Sequence, residues 1–176
     1  MVVLNTLVRS QLKARRMSSS YEIDITNRQS EFPIPDQLFH QAVQAVFSGE
    51  GFPRGEVGIA VVDNAEIHEF NVRFLQHDYP TDVITFPMDQ AEDFLSGEIM
   101  LSAQYAAEEA KQHAWTIEKE MTLYVVHGCL HLAGYDDHED HDRAEMRRLE
   151  QHYLRQLGIE YDGQAAASGI PNQGAL

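Results

Sequence analysis

The stretch from Ile117 to Ala133 leaves few options for what this chain can fold into. Its middle, Met121-Thr122-Leu123-Tyr124-Val125-Val126, is apolar on nearly every side of a helix, and a helix without a polar face must be buried all round. The pattern predicts a central helix over 117–133 with the other elements packed about it. His127 and His131 lie four residues apart on that helix, so their rings sit one turn above the other on one face. Burying two imidazoles among apolar side chains costs desolvation unless something pairs with their nitrogens. A divalent ion does so, and this spacing chelates a single one. Gly128, inside the same helix, costs about 1 kcal/mol relative to alanine, which points to a close approach to the backbone there.

Gly134 ends the helix. A glycine can take the left-handed conformation that reverses the chain, so a residue three positions later can return to the ion as a third ligand. Three protein ligands with one position left for water is the arrangement of a catalytic zinc site. The position after the first histidine is Gly128, where a His-Glu-x-x-His peptidase carries its general base, and peptide hydrolysis by that route is excluded. Asp136 is read two ways, as a carboxylate that orients a ligand histidine or assists the water, and as a cap for the next helix.

Around this core the pattern gives a strand over 21–26, from apolar–polar alternation. A helix bearing Leu38, Ala42, Val43 and Val46 follows and stops at Gly49-Glu50-Gly51. An inner strand covers 56–63, and Asn64 caps a helix running to about Leu75. Strands over 82–86 and 97–101 are joined by an acidic loop from Asp89 to Asp93. Helices are expected over 102–113 and 140–157, the second with Met146, Leu149, Tyr153 and Leu157 on one face and Gly158 as its stop. The expected class is α+β: one domain over 20–158, with one mixed sheet of about four strands packed on helices and the metal site at the end of the central helix. Residues 159–176 are expected to be a disordered tail.

Charge divides the chain unevenly. Residues 1–16 carry Arg9, Lys13, Arg15 and Arg16 and no acid, whereas the remainder holds all 28 Asp and Glu against nine Lys and Arg. Residues 1–19 read as a basic leader, disordered or preceding a true start at Met17. They lack the apolar run and cleavage site of a secretory signal. A net charge of −15 argues against the commonest kind of nucleic-acid binder, whose phosphate contacts need Lys and Arg. Cys129 is the only cysteine, so no internal disulfide forms and a cytoplasmic location is expected. No stretch reaches the roughly 18 to 20 apolar residues of a membrane helix, so no membrane partner is expected.

The segment His127-Gly128-Cys129-Leu130-His131-Leu132-Ala133-Gly134-Tyr135-Asp136 resembles the hallmark of the YbeY family of rRNA maturation endoribonucleases, His-Gly-x-Leu-His-Leu-x-Gly-Tyr-Asp-His. The stretch from Asn71 to Phe86, with its Pro80-Thr81-Asp82-Val83, and Gly97-Glu98-Ile99 are also similar to family segments. The resemblance implies a metzincin-like fold and one zinc ion per chain. It further implies cleavage of single-stranded RNA in 3′-end maturation of small-subunit (16S) rRNA and in ribosome quality control. The implied partners are ribosomal RNA, the small subunit and its proteins, with no DNA. Transferred to this sequence, the catalytic residues are His127, His131 and Asp136, and the metal ligands His127, His131 and position 137. That position holds Asp137 where the family has histidine, with His138 displaced by one as the alternative third ligand. The family's arginine falls at Leu75, with Phe74 in place of a tyrosine, which leaves Arg73 as the neighbouring cation. A metallohydrolase for another substrate class, and a noncatalytic zinc-containing assembly factor, are the competing readings.

Overall fold

A computed structural model describes residues 20–76, 78–79 and 81–161. The basic leader, the chain beyond 161, and His77 and Pro80 of the family-like stretch lie outside the described residues.

Four strands form one mixed sheet in the order β1-β2-β4-β3. They are β1 (Ser20–Asn27), β2 (Arg54–Val62), β3 (Val83–Ala91) and β4 (Phe94–Ser102). β1 and β2 run parallel, as do β2 and β4, while β3 returns antiparallel along β4 at the edge. Among the described residues there are five α-helices: α1 (Asp36–Gly49), α2 (Asn64–Phe70), α3 (Ala103–Gln112), α4 (Ile117–Leu132) and α5 (Asp140–Gln156). The α+β class and the mixed four-stranded sheet are therefore as expected.

The apolar middle of α4 does what its pattern demands. Met121, Leu123, Val125, Val126, Cys129 and Leu130 are all buried. They pack with Phe39, Val43 and Phe47 of α1, Val57 and Ile59 of β2, and Met146 and Leu149 of α5. In α1 it is Phe39 and Phe47 that join Ala42, Val43 and Val46 in the core, and Leu38 is only half-buried. Gly128 is explained by β4: a Cβ there would press on the Ile99 side chain at 3.1 Å. On the opposite sheet face a smaller cluster joins Val62, Ile67, Ile84 and Met100.

Two local expectations are corrected, the cap before α2 and the loop from Asp89 to Asp93. The helix cap before α2 is Asp63, whose Oδ1 accepts from the Glu66 N–H at 2.8 Å. Asn64 instead accepts from the Ser102 hydroxyl at 2.5 Å. Both residue types cap well, and adjacency made the choice ambiguous. The helix ends as regular α at Phe70 and continues as a π-helical turn, Asn71–Leu75, stopped by Gln76 at φ 59°. Finally, Asp89 to Asp93 is no loop. β3 continues to Ala91, only Glu92-Asp93 turn, and Arg54 pairs with Asp93 at 2.7 Å. The pairing register shifts between Pro87 and Gln90, which breaks the two-residue alternation, and an edge strand tolerates charge on both faces.

The packed chain also runs past 158, because Ile159 and Tyr161 are buried. Among the described residues no helix is long and apolar enough to cross a membrane.

Candidate metal centre

α4 begins at Thr116, whose hydroxyl accepts from the Lys119 N–H, and ends in a double hydrogen bond around Gly134. The Gly134 N–H reaches His131 O and the Tyr135 N–H reaches Leu130 O, both at 3.0 Å, with Gly134 at φ 100°. This is the Schellman closure that only a residue free of a Cβ adopts at no cost. It turns the chain back so that Asp137 faces the last two turns of the helix.

Three side chains converge there. His127 Nε2 and His131 Nε2 are 2.9 Å apart. Asp137 brings Oδ2 to 3.7 Å from His127 Nε2 and Oδ1 to 3.8 Å from His131 Nε2. These three donor atoms lie within 4.8 Å of one another. Two donors about 2.0 Å from a tetrahedral ion are separated by about 3.3 Å, so the observed edges bracket the required span.

The surroundings fix which nitrogen of each ring faces inward. His131 Nδ1 donates to the Tyr135 carbonyl at 3.0 Å. A carbonyl can only accept, so Nδ1 carries the proton and Nε2 presents a lone pair. His127 Nδ1 lies 2.7 Å from Glu150 Oε1, and that carboxylate is in turn reached by the Tyr161 hydroxyl at 3.3 Å. Glu150 is 1% exposed. Both rings are thus held by partners on their far nitrogens, as metal-ligating histidines are.

Protonation follows from this arrangement. Burial opposes charge on His127, but the bond to Glu150 and the charge of that carboxylate outweigh it, and its pKa is raised to about 9. Burial and the neighbouring His127 charge push His131 down to about 3. Asp137 is shifted up by burial, against the pull of His127 and His138. Its buried Oδ1 has no hydrogen-bond partner. Two inward lone pairs and an orphaned carboxylate oxygen are a donor set that fits a divalent cation, and nitrogen with carboxylate oxygen suits zinc.

The other expected residues fall outside this triangle. His138 is more exposed than Asp137 and lies 3.3 Å from Asp136 Oδ1. Asp136 is half-exposed, and its carboxylate accepts from the Asp137 N–H at 2.7 Å. The histidines are oriented by Glu150 and the Tyr135 carbonyl instead. The cap of α5 is Glu139. The charge of Asp82 acts on both His127 and Asp137. Asp82 Oδ1 is occupied by the Thr81 hydroxyl and the Val83 N–H, at 2.9 and 2.8 Å. Arg73 lies on the π-helical turn with its guanidinium 5.3 Å from the Phe74 ring centre.

Glu150 and Tyr135 were not singled out from the sequence. Glu150 carried a readable signal: it falls within the buried stripe Met146, Leu149, Tyr153, Leu154 of α5, and a carboxylate at a core-facing position requires a partner.

A mixed four-stranded sheet with two imidazoles and a carboxylate converging at the end of its buried helix defines an α+β protein with a cluster that could hold a cation. Comparison with known proteins gives the family. The sequence profile of the Endoribonuclease YbeY family matches residues 24–158, and the chain belongs to that family. An Endoribonuclease YbeY of Rhodopirellula baltica is 44% identical over 122 residues, covering 68% of this chain and 63% of that protein. One of Carboxydothermus hydrogenoformans is 38% identical over 141 residues, covering 78% of this chain and 98% of that protein. The solution structure of TM1509 from Thermotoga maritima superposes with a TM-score of 0.53 at 26% identity, covering 77% of this chain and 91% of that one.

Proposed function

We propose that this chain is a zinc-dependent endoribonuclease that cuts single-stranded RNA in the cytoplasm. On this reading it acts in 3′-end maturation of small-subunit (16S) rRNA and in ribosome quality control, with the small subunit and its proteins as partners. The observation that carries the proposal is the convergence of two pre-oriented imidazole nitrogens with the partnerless Asp137 oxygen, in a chain whose relatives are named endoribonucleases.

His127, His131 and Asp137 would hold one zinc ion. When bound, the ion supplies a Lewis acid for a phosphoryl oxygen and lowers the pKa of water to about 7. The residues of the chain do the rest. Glu150 and the Tyr135 carbonyl hold the two rings in the tautomer that directs Nε2 inward. Asp136, half-exposed beside the site, is a carboxylate open to solvent and available to accept a proton from the attacking water.

The test is zinc content of the full chain, wild type and His131→Ala, paired with cleavage of a single-stranded and a duplex RNA of the same sequence. We expect one zinc per wild-type chain, none in the variant, and cleavage confined to the single strand. Zinc with no RNA cleavage would shift the reading to a hydrolase of another substrate class, a reading that the net charge of −15 favours.

A further inference from the structure

We infer that Glu50, at the far end of α1, is a positioning residue for the metal centre and acts through Tyr135. The inference rests on the metal-binding reading above.

Tyr135 is tied at three points. Its N–H closes the end of α4 on Leu130 O at 3.0 Å. Its carbonyl accepts from His131 Nδ1 at 3.0 Å, and its hydroxyl donates to Glu50 Oε2 at 2.7 Å. The first tie is helix closure and the second sets the direction of a ligand ring. The third fixes the side chain of the residue whose carbonyl does the setting. Freeing the ring lets the peptide between Tyr135 and Asp136 rock, and with it both the His131 acceptor and the approach of Asp137.

Glu50 is well placed to be the fixed end. It caps α1, and its N–H is held by Val46 O at 2.9 Å. Its other oxygen, Oε1, accepts from the Tyr153 hydroxyl of α5. Gly49 makes this possible, because a Cβ there would collide with the Tyr153 ring. One half-buried carboxylate, with a hydroxyl on each oxygen, thus joins α1, α5 and the ligand-bearing turn. A charged acceptor holds a hydroxyl more strongly than a neutral one. The Glu-Tyr contact spans 85 residues of sequence, so local folding of the turn does not supply it.

The experiment uses the full chain and its Glu50→Ala, Glu50→Gln, Tyr135→Phe and Tyr153→Phe variants. Zinc affinity is read by competition with a chromophoric chelator, ligand geometry by the visible spectrum after cobalt loading, and stability by melting of the zinc-free forms. Second-sphere partners of histidine ligands shift metal affinity about 10- to 100-fold, and one step further out we expect about 3- to 10-fold. Glu50→Ala and Tyr135→Phe should weaken zinc by that factor and shift the cobalt bands. Their combination should weaken it no more than either alone, since both cut one contact. Glu50→Gln, which keeps an acceptor, should restore affinity to within about twofold of wild type. Tyr153→Phe should lower the melting temperature and leave affinity and spectrum as in wild type. Unchanged zinc affinity and cobalt spectrum in Tyr135→Phe overturn the proposal, as does equal weakening in Tyr153→Phe, which would mark the carboxylate as general support. A wild-type chain that takes up no zinc overturns the metal reading itself and the proposal with it.

Discussion

The two halves of the candidate metal centre are held by different physics. His127 and His131 ride on α4, whose flanking residues Val126, Cys129 and Leu130 are wholly buried, so packing fixes their backbone and only the rings need orienting. In the turn from Gly134 to His138 only Tyr135 packs, partly buried, on the core, and polar ties hold most of the rest. Glu50 holds the Tyr135 hydroxyl, and Arg143 of α5 donates to the carbonyls of Asp137 and His138. One half resists perturbation because moving it opens a cavity, and the other only as long as a few hydrogen bonds persist.

The sharpest way to break this contrast is to remove a donor from the helix half. His131→Ala should reduce zinc uptake to background with the helical circular dichroism unchanged; loss of the fold together with the metal would mean that the helix half is not held by packing. Next in size is Glu150→Gln, which leaves His127 in place but weakens its far-side acceptor. Zinc affinity should fall about 10- to 100-fold, as read by chelator competition.

The pH dependence is of similar size per unit. His127 is held up to about 9, so zinc must displace a proton below that pH, and affinity should rise about tenfold per unit between pH 7 and 9 and then level. The same raised pKa stabilises the zinc-free protein fully below about 6.5, and that contribution is lost as pH rises through 9. Chemical denaturation of the zinc-free form at pH 6.5 and 9.5 checks the sign. The smallest effect is expected at His138, the member of the turn that lies outside the donor triangle. Asp137→Ala should weaken zinc clearly, whereas His138→Ala should leave it within about twofold, because His138 points to Asp136 rather than to the histidine pair. The reverse order would make His138 the third ligand.

The helix half was legible because its information is local: an all-round apolar run, a His-x-x-x-His spacing and a terminal glycine are read within one segment. The acceptors behind the site were not, because Glu150, which meets the His127 ring, and Glu50, which meets Tyr135, come from elements far off in sequence, 23 and 85 residues from their partners. The strand around Asp89 failed for another reason. A register shift erased the alternation that identifies strands, and acidic side chains on an exposed edge look like a loop. Family spacing favours Asp137 over His138, and the geometry that brings Asp137 to the histidines is set by the ties on the turn, which the spacing alone does not encode.

The hydroxyl that reaches Glu150 from Tyr161 bears on how small a working fragment of this protein can be. The family profile stops at residue 158, and a fragment trimmed to that limit would shed Ile159 and Tyr161, both buried. It would uncover the Trp115 ring, against which Tyr161 packs at 5.5 Å between ring centres, and admit solvent beside the acceptor of His127. A fragment that keeps the surroundings of Glu150 intact therefore extends at least through Tyr161.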